Sequence, residues 1–366
     1  MRPPRRLVFT GLLVLVLASS AAARPGPSAS NLLSQRRAVA TYAAMQRYFY
    51  VTANGSYNGI YPAAGHAQVW PYSQALWATL ELARVPRVGA TALADLPAMI
   101  AGLGAYGNRA LGGIVYDAVY GGQTYVFYDD NAWISLALID ASDLTQSATY
   151  LAAAREVFRP IQAGWDSNPG DPCPGGVYWI RSTRNHDRAA VSTANGALIA
   201  ALLYRHTHVP YYLDWARRAY QWSKRCLGTP TGLVADHIDS AGTLNTRTWS
   251  YNQGAMIAAA VNLYRATRDP RYLHDAKTTA AAALAMLQHP LNSGEPASFL
   301  AIFYRDLLEL AAVDPSQNYR AAIESFANAA WTHERNAHTG LFYFGHTQAT
   351  LLDQAAMVQI YAALAT

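Results

Sequence analysis

The stretch GLVADHIDSAGTLNTRTWSYNQGAMIAAAVNLYRAT, residues 232–267, holds two parts whose recurrence decides the fold. It opens on a glycine followed by apolar residues and a carboxylate, Gly232 to Asp236. Beyond a polar loop, apolar residues return at spacings of three and four and alanine is abundant, which is the pattern of an α-helix. The start of that helix carries a side-chain amide followed at once by a small residue, Gln253-Gly254.

The same pair stands at Gln74-Ala75, Asn131-Ala132, Asn195-Gly196 and Gln354-Ala355, so the successive spacings are 57, 64, 58 and 101. The last gap is two periods, and the intervening unit near PASFLAIFYRDLLEL, residues 296–310, lacks the amide. The glycine-led part also recurs, as GGIVYD at 112, GGVYW at 175 and GLFYF at 340. The repeating unit is therefore helix, Gly-aromatic loop, helix, about 60 residues long and present six times.

Helical hairpins of this kind stack as an open solenoid or close into a ring. The marked helices (WISLALIDA, AMIAAAVNLY, AAMVQIYAALA) are evenly apolar, as an inner layer requires, whereas LAAAREVFRPIQ, DWARRAYQWSKR and AAIESFANAAWTHE carry charge on one face. This favours closure. The expected fold is all-α, an (α/α)6 toroid, with parallel inner helices whose N-termini open on one face together with the Gly-aromatic loops.

The N-terminus addresses location. Arg2, Arg5 and Arg6 precede the apolar run LVFTGLLVLVLASS, and AAA at 21–23 offers a cleavage site, the layout of a secretory signal. The run is shorter than the roughly 20 residues that span a bilayer. We expect residues 1–23 to be removed on export and residues 24–366 to form one catalytic domain with no membrane span. Loss of those three arginines from 28 basic residues leaves 25 against 23 acidic ones, a net charge of +2. The remaining Lys and Arg form no basic run, which excludes a nucleic-acid surface. Cys173 and Cys226 are the only cysteines. An exported chain can oxidise them, joining DPCPGG to KRCLGTP, or leave them as two buried thiols. Two cysteines and no histidine pair at ligand spacing give no structural zinc site, and no cofactor is expected.

Asp129 and Asp130, in YDDNAW at 128–133, fall on the first turn of an inner helix at the mouth of the ring. Helix capping is the simplest role for such a pair. The same face, however, collects Trp70, Tyr72, Tyr116, Asp117, Tyr125, Tyr128, Trp179, Asn195, Asp236, Trp249, Tyr251, Asn252, Gln253 and Tyr343. Aromatic rings stack on the apolar faces of sugars while amides and carboxylates bind hydroxyls. Two carboxylates suit glycosidic cleavage, one ionised and one protonated, and adjacency at a helix N-terminus separates their pKa values. Side chains about 100° apart on a helix can bring their carboxyl groups to the roughly 5–5.5 Å spacing of retaining enzymes. His66, His186, His237 and His346 lie in loops and are assigned surface or hydrogen-bonding roles, with contact to a sugar as the alternative.

The motifs YDDNAW, GGVYW, STANGAL, GLVAD, WSYNQGAMIAAAVNLYRATRDPRYL and LLDQAAMVQIY together resemble glycoside hydrolase family 76, bacterial and fungal enzymes acting on α-1,6-linked mannan. The resemblance covers most of residues 24–366 in order. It implies Asp129 as nucleophile, Asp130 as general acid/base in a retaining mechanism, and Asp236 as a carboxylate that holds hydroxyls of the sugar being cleaved. The chain differs from the family pattern at Asp236-His237, where Asp-Gly is usual, at Gln74, where Asn is usual, and across RSTRNHDRAAVSTANG. The expected function is a secreted, monomeric endo-α-1,6-mannanase whose partner is α-1,6-mannan or a mannan-core polysaccharide. A transglycosylase with the same acid pair, a non-catalytic glycan-binding toroid and a helical interaction solenoid are the alternatives.

Overall fold

A computed structural model of the chain describes residue 1 and residues 28–123, 125–288 and 294–366. Apart from Met1, the expected leader lies outside the described residues. Twelve α-helices run through the described chain: α1 Ala29–Phe49, α2 Val69–Ala83, α3 Ala90–Gly102, α4 Tyr128–Thr145, α5 Ala148–Ala163, α6 Ala190–Thr207, α7 Pro210–Leu227, α8 Ser250–Thr267, α9 Pro270–Met286, α10 Ala297–Ala311, α11 Tyr319–His333 and α12 Leu351–Ala363.

The even-numbered helices touch one another in succession, and α12 returns to α2, so the inner ring closes. The odd-numbered helices form the outer layer, with α1 laid on α12 and α2. Sequence explains the division. On α8 every residue from Asn252 to Leu263 is buried, whereas α7 buries one stripe, Trp215, Ala216, Ala219, Tyr220, Trp222, Ser223 and Leu227. A helix apolar on all sides belongs inside; an amphipathic one covers it. Each large apolar side chain taken from water on that stripe contributes about 1.5–3 kcal/mol.

The two ends of the ring differ in their connections. Inner helices pass to outer ones through tight turns in which Gln146, His208 and Arg268 adopt the left-handed conformation after α4, α6 and α8. Pro210 and Pro270 then start α7 and α9, where a missing N–H costs nothing. Outer helices pass back to inner ones through long loops on the other end, which contain short antiparallel pairings.

The recurring amide has a definite task. Asn131 donates to Tyr116 O at 3.0 Å and accepts from Tyr116 N–H at 2.7 Å; Gln354 does the same to Phe342 at 2.8 and 3.1 Å. Both stand at the fourth position of their helix and clamp the Gly-aromatic loop that precedes it. At the fourth position of α6 the role falls to Thr193, whose hydroxyl accepts from Val177 N–H at 2.9 Å. Asn195 and Gln74 sit two residues deeper and do not clamp a loop, which accounts for the uneven spacing read from sequence. The small residue after the amide is needed for close approach: a Cβ on Gly254 would lie 2.9 Å from the Phe303 backbone on α10.

Cys173 and Cys226 form a disulfide with a Cα–Cα distance of 6.0 Å, resolving the alternative left by sequence. At the tight-turn end, a cavity of about 390 Å³ is lined by charged side chains from the C-terminal halves of the inner helices. Arg84 pairs with Asp140, Arg265 with Glu309 at 2.7 Å and Arg305 with Asp306 at 3.3 Å, while the Arg305 guanidinium lies 4.0 Å over Trp77. Among the described residues no helix is long and apolar enough to cross a membrane.

Candidate active site

The long-loop end of the ring encloses a second cavity, of about 440 Å³. Its floor is the first turn of α4. The chain enters that helix through a bridge between Phe127 and Ile180 and a hydrogen bond from Tyr128 N–H to Trp179 O, and Asn131 fixes the next turn to Tyr116. Asp129 and Asp130 therefore reach the cavity from a rigid element whose positive end they occupy.

Both carboxyl groups are raised above the ordinary carboxylate range. For Asp129 the main cause is burial, with the Asp236 charge adding to it, while the amides of residues 129 and 130 and the Trp179 indole act in the opposite sense. Asp130 is raised by burial and then by the Asp129 charge. One proton on Asp130 and one negative charge on Asp129 is the arrangement these surroundings favour.

Asp236 enters from the loop before α8. Its Oδ1 accepts from Asn252 Nδ2 at 3.0 Å, and His237 Nδ1 lies 2.9 Å from its Oδ2. The position of this loop is set by Gln253, whose side chain bonds both Val234 N–H and Val234 O at 2.9 Å. The aromatic walls converge on Phe299 from α10, with ring centres 4.1 Å from Tyr251, 5.3 Å from Trp249 and 5.9 Å from Trp70. At the rim, Phe127 and Trp179 meet at 5.0 Å, and Trp179 is 41% exposed.

Of the residues singled out in the sequence, Asp129, Asp130, Trp70, Trp179, Asp236 and Tyr251 line the cavity. Asn252 stands behind them, holding Asp236. Trp249 precedes α8 and is covered by the Arg247 guanidinium at 3.6 Å. Tyr72 is buried and donates to Met99 O at 2.8 Å, Tyr128 is buried against Gly164, and Gln253 is spent on the loop clamp. Asn195 is buried within α6, away from the cavity lining. Asp117 holds its own turn by accepting from Val119 and Tyr125 N–H. The structure adds Phe127, Trp133, Asp187, His237 and Phe299 to the walls. For His237 the sequence leaves a surface or hydrogen-bonding role and a sugar contact as alternatives, and the structure sets it in the cavity wall beside Asp236.

Three polar atoms around this site are buried with no hydrogen-bond partner: Asp129 Oδ1, Trp70 Nε1 and Asn252 Oδ1. Buried polar groups are normally paired, and since Asp129 and Trp70 belong to the cavity lining, a ligand's hydroxyl groups there would supply partners. Among the described residues no three His, Cys, Asp or Glu side chains are grouped to hold a metal ion.

A closed ring of helical hairpins with an acidic, aromatic-walled cavity at the N-termini of its inner helices defines the (α/α)6 class. Within that class, residues 33–366 match the family described as glycosyl hydrolase family 76, and the chain belongs to it. It is 31% identical over 161 residues to a mannan endo-1,6-alpha-mannosidase of Candida albicans, a match covering 39% of this chain and 34% of that protein. The matched segment thus spans about a third of the length of this curated relative. A family 76 mannosidase from Bacteroides thetaiotaomicron has the same fold, with a TM-score of 0.82 and 26% identity over 91% of this chain and 98% of that one. An inactive variant of the α-1,6-mannanase of Salegentibacter sp., in complex with α-1,6-mannotriose, shares the fold at a TM-score of 0.73 and 23% identity, covering 91% of this chain and 99% of that one.

Proposed function

We propose that this chain is a secreted, monomeric glycoside hydrolase that cleaves internal α-1,6-mannosidic bonds of mannan through a retaining mechanism. The observation that carries this reading is the pair on α4: two adjacent carboxyl groups, both raised by burial, on the floor of an aromatic-walled cavity. Family membership and the names of the relatives supply the substrate class.

In the first step Asp129 attacks the anomeric carbon while Asp130 gives its proton to the glycosidic oxygen. The carbon–oxygen bond breaks, the leaving chain departs with a new hydroxyl, and a glycosyl ester forms on Asp129. In the second step the Asp130 carboxylate takes a proton from water, whose oxygen displaces Asp129 from the anomeric carbon. Burial favours the neutral form of Asp130 before the first step, and the helix N-terminus favours charge on Asp129. Asp236, held by Asn252 and His237, accepts from hydroxyls of the sugar at the cleavage point, and Trp70, Tyr251 and Phe299 form the apolar surface against its ring.

The experiment is digestion of unbranched α-1,6-mannan, with the anomeric form of the first product followed by NMR. Short oligosaccharides released with the α configuration support both substrate and mechanism. Initial β product overturns the retaining step, and an intact polymer overturns the substrate. Adding an acceptor oligosaccharide separates hydrolysis from transfer.

A further inference from the structure

One wall of the active-site cavity is a three-stranded sheet of residues 188–189, 237–238 and 244–245. Its register sets Ala189 beside His237 and Arg188 beside Ile238. Side chains alternate along a strand. Arg188 accordingly turns inward, where Asp166 at 2.9 Å and the Asp239 carbonyl at 2.7 Å hold it, while Asp187 and Ala189 face the cavity. His237 shares that face. Its Nδ1 is 2.9 Å from Asp236 Oδ2 and its Nε2 is 3.8 Å from Asp187 Oδ2. Asp187 is steadied in turn by Asn185 Nδ2 at 2.7 Å.

We propose that His237 is a positioning residue, a strut between Asp187 and Asp236 that fixes the Asp236 carboxylate in the orientation in which it meets the sugar being cleaved. This rests on the reading of Asp236 as a hydroxyl-binding group. Asn252 holds Oδ1 of that carboxylate from α8 and the Tyr251 hydroxyl also reaches the group, while His237 anchors Oδ2 and so restrains rotation about the Cβ–Cγ bond, a torsion with a broad preference.

The charged groups around the ring are Asp236 just before its own strand, Asp239 just after it and Asp187 just before the neighbouring strand, while Tyr251 and Asn252 approach Asp236 from α8. The nearest guanidinium on the adjoining strand, Arg188, is committed to Asp166. The hydrogen bond to Asp236, reinforced by the surrounding carboxylates, holds the imidazole pKa above its ordinary value. In the imidazolium both ring nitrogens carry hydrogen and both ends of the strut hold. Deprotonation leaves a bare nitrogen facing a carboxylate, and one end fails. Sugar binding then weakens as pH rises through the imidazole pKa.

Two measurements on the full chain test this. Long-range proton–nitrogen NMR, with the His237 signal assigned by its loss in His237→Asn, should give an imidazole pKa above that of an ordinary histidine, falling by roughly half a unit or more in Asp187→Asn. An unchanged His237 titration in Asp187→Asn overturns the bridge. In kinetics on unbranched α-1,6-mannan, His237→Ala should raise KM about tenfold with kcat within about threefold of wild type. His237→Asn, whose amide reaches the Nδ1 position, should recover most of that loss while abolishing the rise of KM with pH. A wild-type KM in His237→Ala overturns the proposal. If the wild-type chain leaves mannan intact, the functional reading fails separately, and the NMR experiment still decides whether the strut exists.

Discussion

Gln253 satisfies both backbone groups of Val234 with one side chain: its Oε1 accepts from Val234 N–H and its Nε2 donates to Val234 O, each at 2.9 Å. Val234 lies two residues before Asp236, so the clamp joins the folded core to the cavity wall. Gln253→Leu fills similar volume but strands two buried backbone groups, at about 1–3 kcal/mol each. The expected result is a loss of about 2–6 kcal/mol in urea unfolding, with a lower kcat/KM under conditions where the variant is fully folded. Thr193→Val, which removes the acceptor of a single N–H, should show a smaller loss of the same sign. Equal stability of Gln253→Leu and wild type would remove the clamp as the reason for the repeat.

The acid pair should be visible in pH dependence. The proposed mechanism needs Asp129 ionised and Asp130 protonated, and burial raises both. The kcat/KM profile should be a bell whose two limbs both lie above the ordinary carboxylate range of about 4. The Asp236 charge is one cause of the rise at Asp129, so Asp236→Asn should move the acid limb to lower pH, in addition to lowering the rate. Carbon NMR of the carboxyl groups gives a version independent of activity: in Asp129→Asn, Asp130 should titrate at lower pH than in wild type, because its charged neighbour has gone. A limb that stays in place in Asp236→Asn would show that the two carboxylates do not sense each other across the cavity.

Periodicity made the ring legible. Inner helices are apolar on every side and outer ones on a stripe, and that difference survives in the sequence because it concerns each helix alone. The floor of the cavity was legible for the same reason, since Asp129 and Asp130 are adjacent in one motif. The amide motif was read correctly at Asn131, Gln253 and Gln354 as a unit marker. Asn195 and Gln74 share its spelling without its hydrogen bonds, because the clamp needs only an acceptor that reaches the loop, and a Thr193 hydroxyl suffices. Phe299 and Asp187 were not legible as walls. Each belongs to a different unit from Asp129: Phe299 is carried in on α10 by closure of the ring, and Asp187 by pairing between loops, such as Ala189 with His237, which no local pattern announces.

The disulfide predicts a stability effect with a known direction. Cys173 and Cys226 are separated by 53 residues, and closing a loop of that length restrains the unfolded chain by an amount on the order of 4 kcal/mol. Cys173 also offers its carbonyl to Trp222 Nε1 at 3.1 Å, so the loop keeps one anchor after the bond is cut. Cys226→Ser should therefore unfold at lower urea concentration while retaining measurable mannan cleavage when folded. Loss of activity with unchanged stability would mean that the bridge acts on the cavity through Gly175-Gly176 and Trp179 instead.

Asp306 offers the clearest link between pH and stability. It is 2% exposed at the tight-turn end of the ring, burial pushes its carboxyl up to about 7, and the Arg305 guanidinium only partly offsets this. In the unfolded chain an aspartate titrates near 3.9, roughly. Between those values the folded protein holds a proton that the unfolded chain has released. The group's contribution is thus present below about pH 4 and is lost as pH rises through about 7, with a slope of up to about 1.4 kcal/mol per pH unit. Asp306→Asn removes the titration. The unfolding free energy of wild type should fall more steeply than that of the variant as pH is raised from about 4 to about 7, and the two should run parallel above it. The difference in slope is the test, since the variant also alters the Arg305 contact and shifts stability by a constant amount at every pH. Identical slopes would show that Arg305 keeps Asp306 ionised in the folded ring and that the charged base of the toroid is a permanent ion pair.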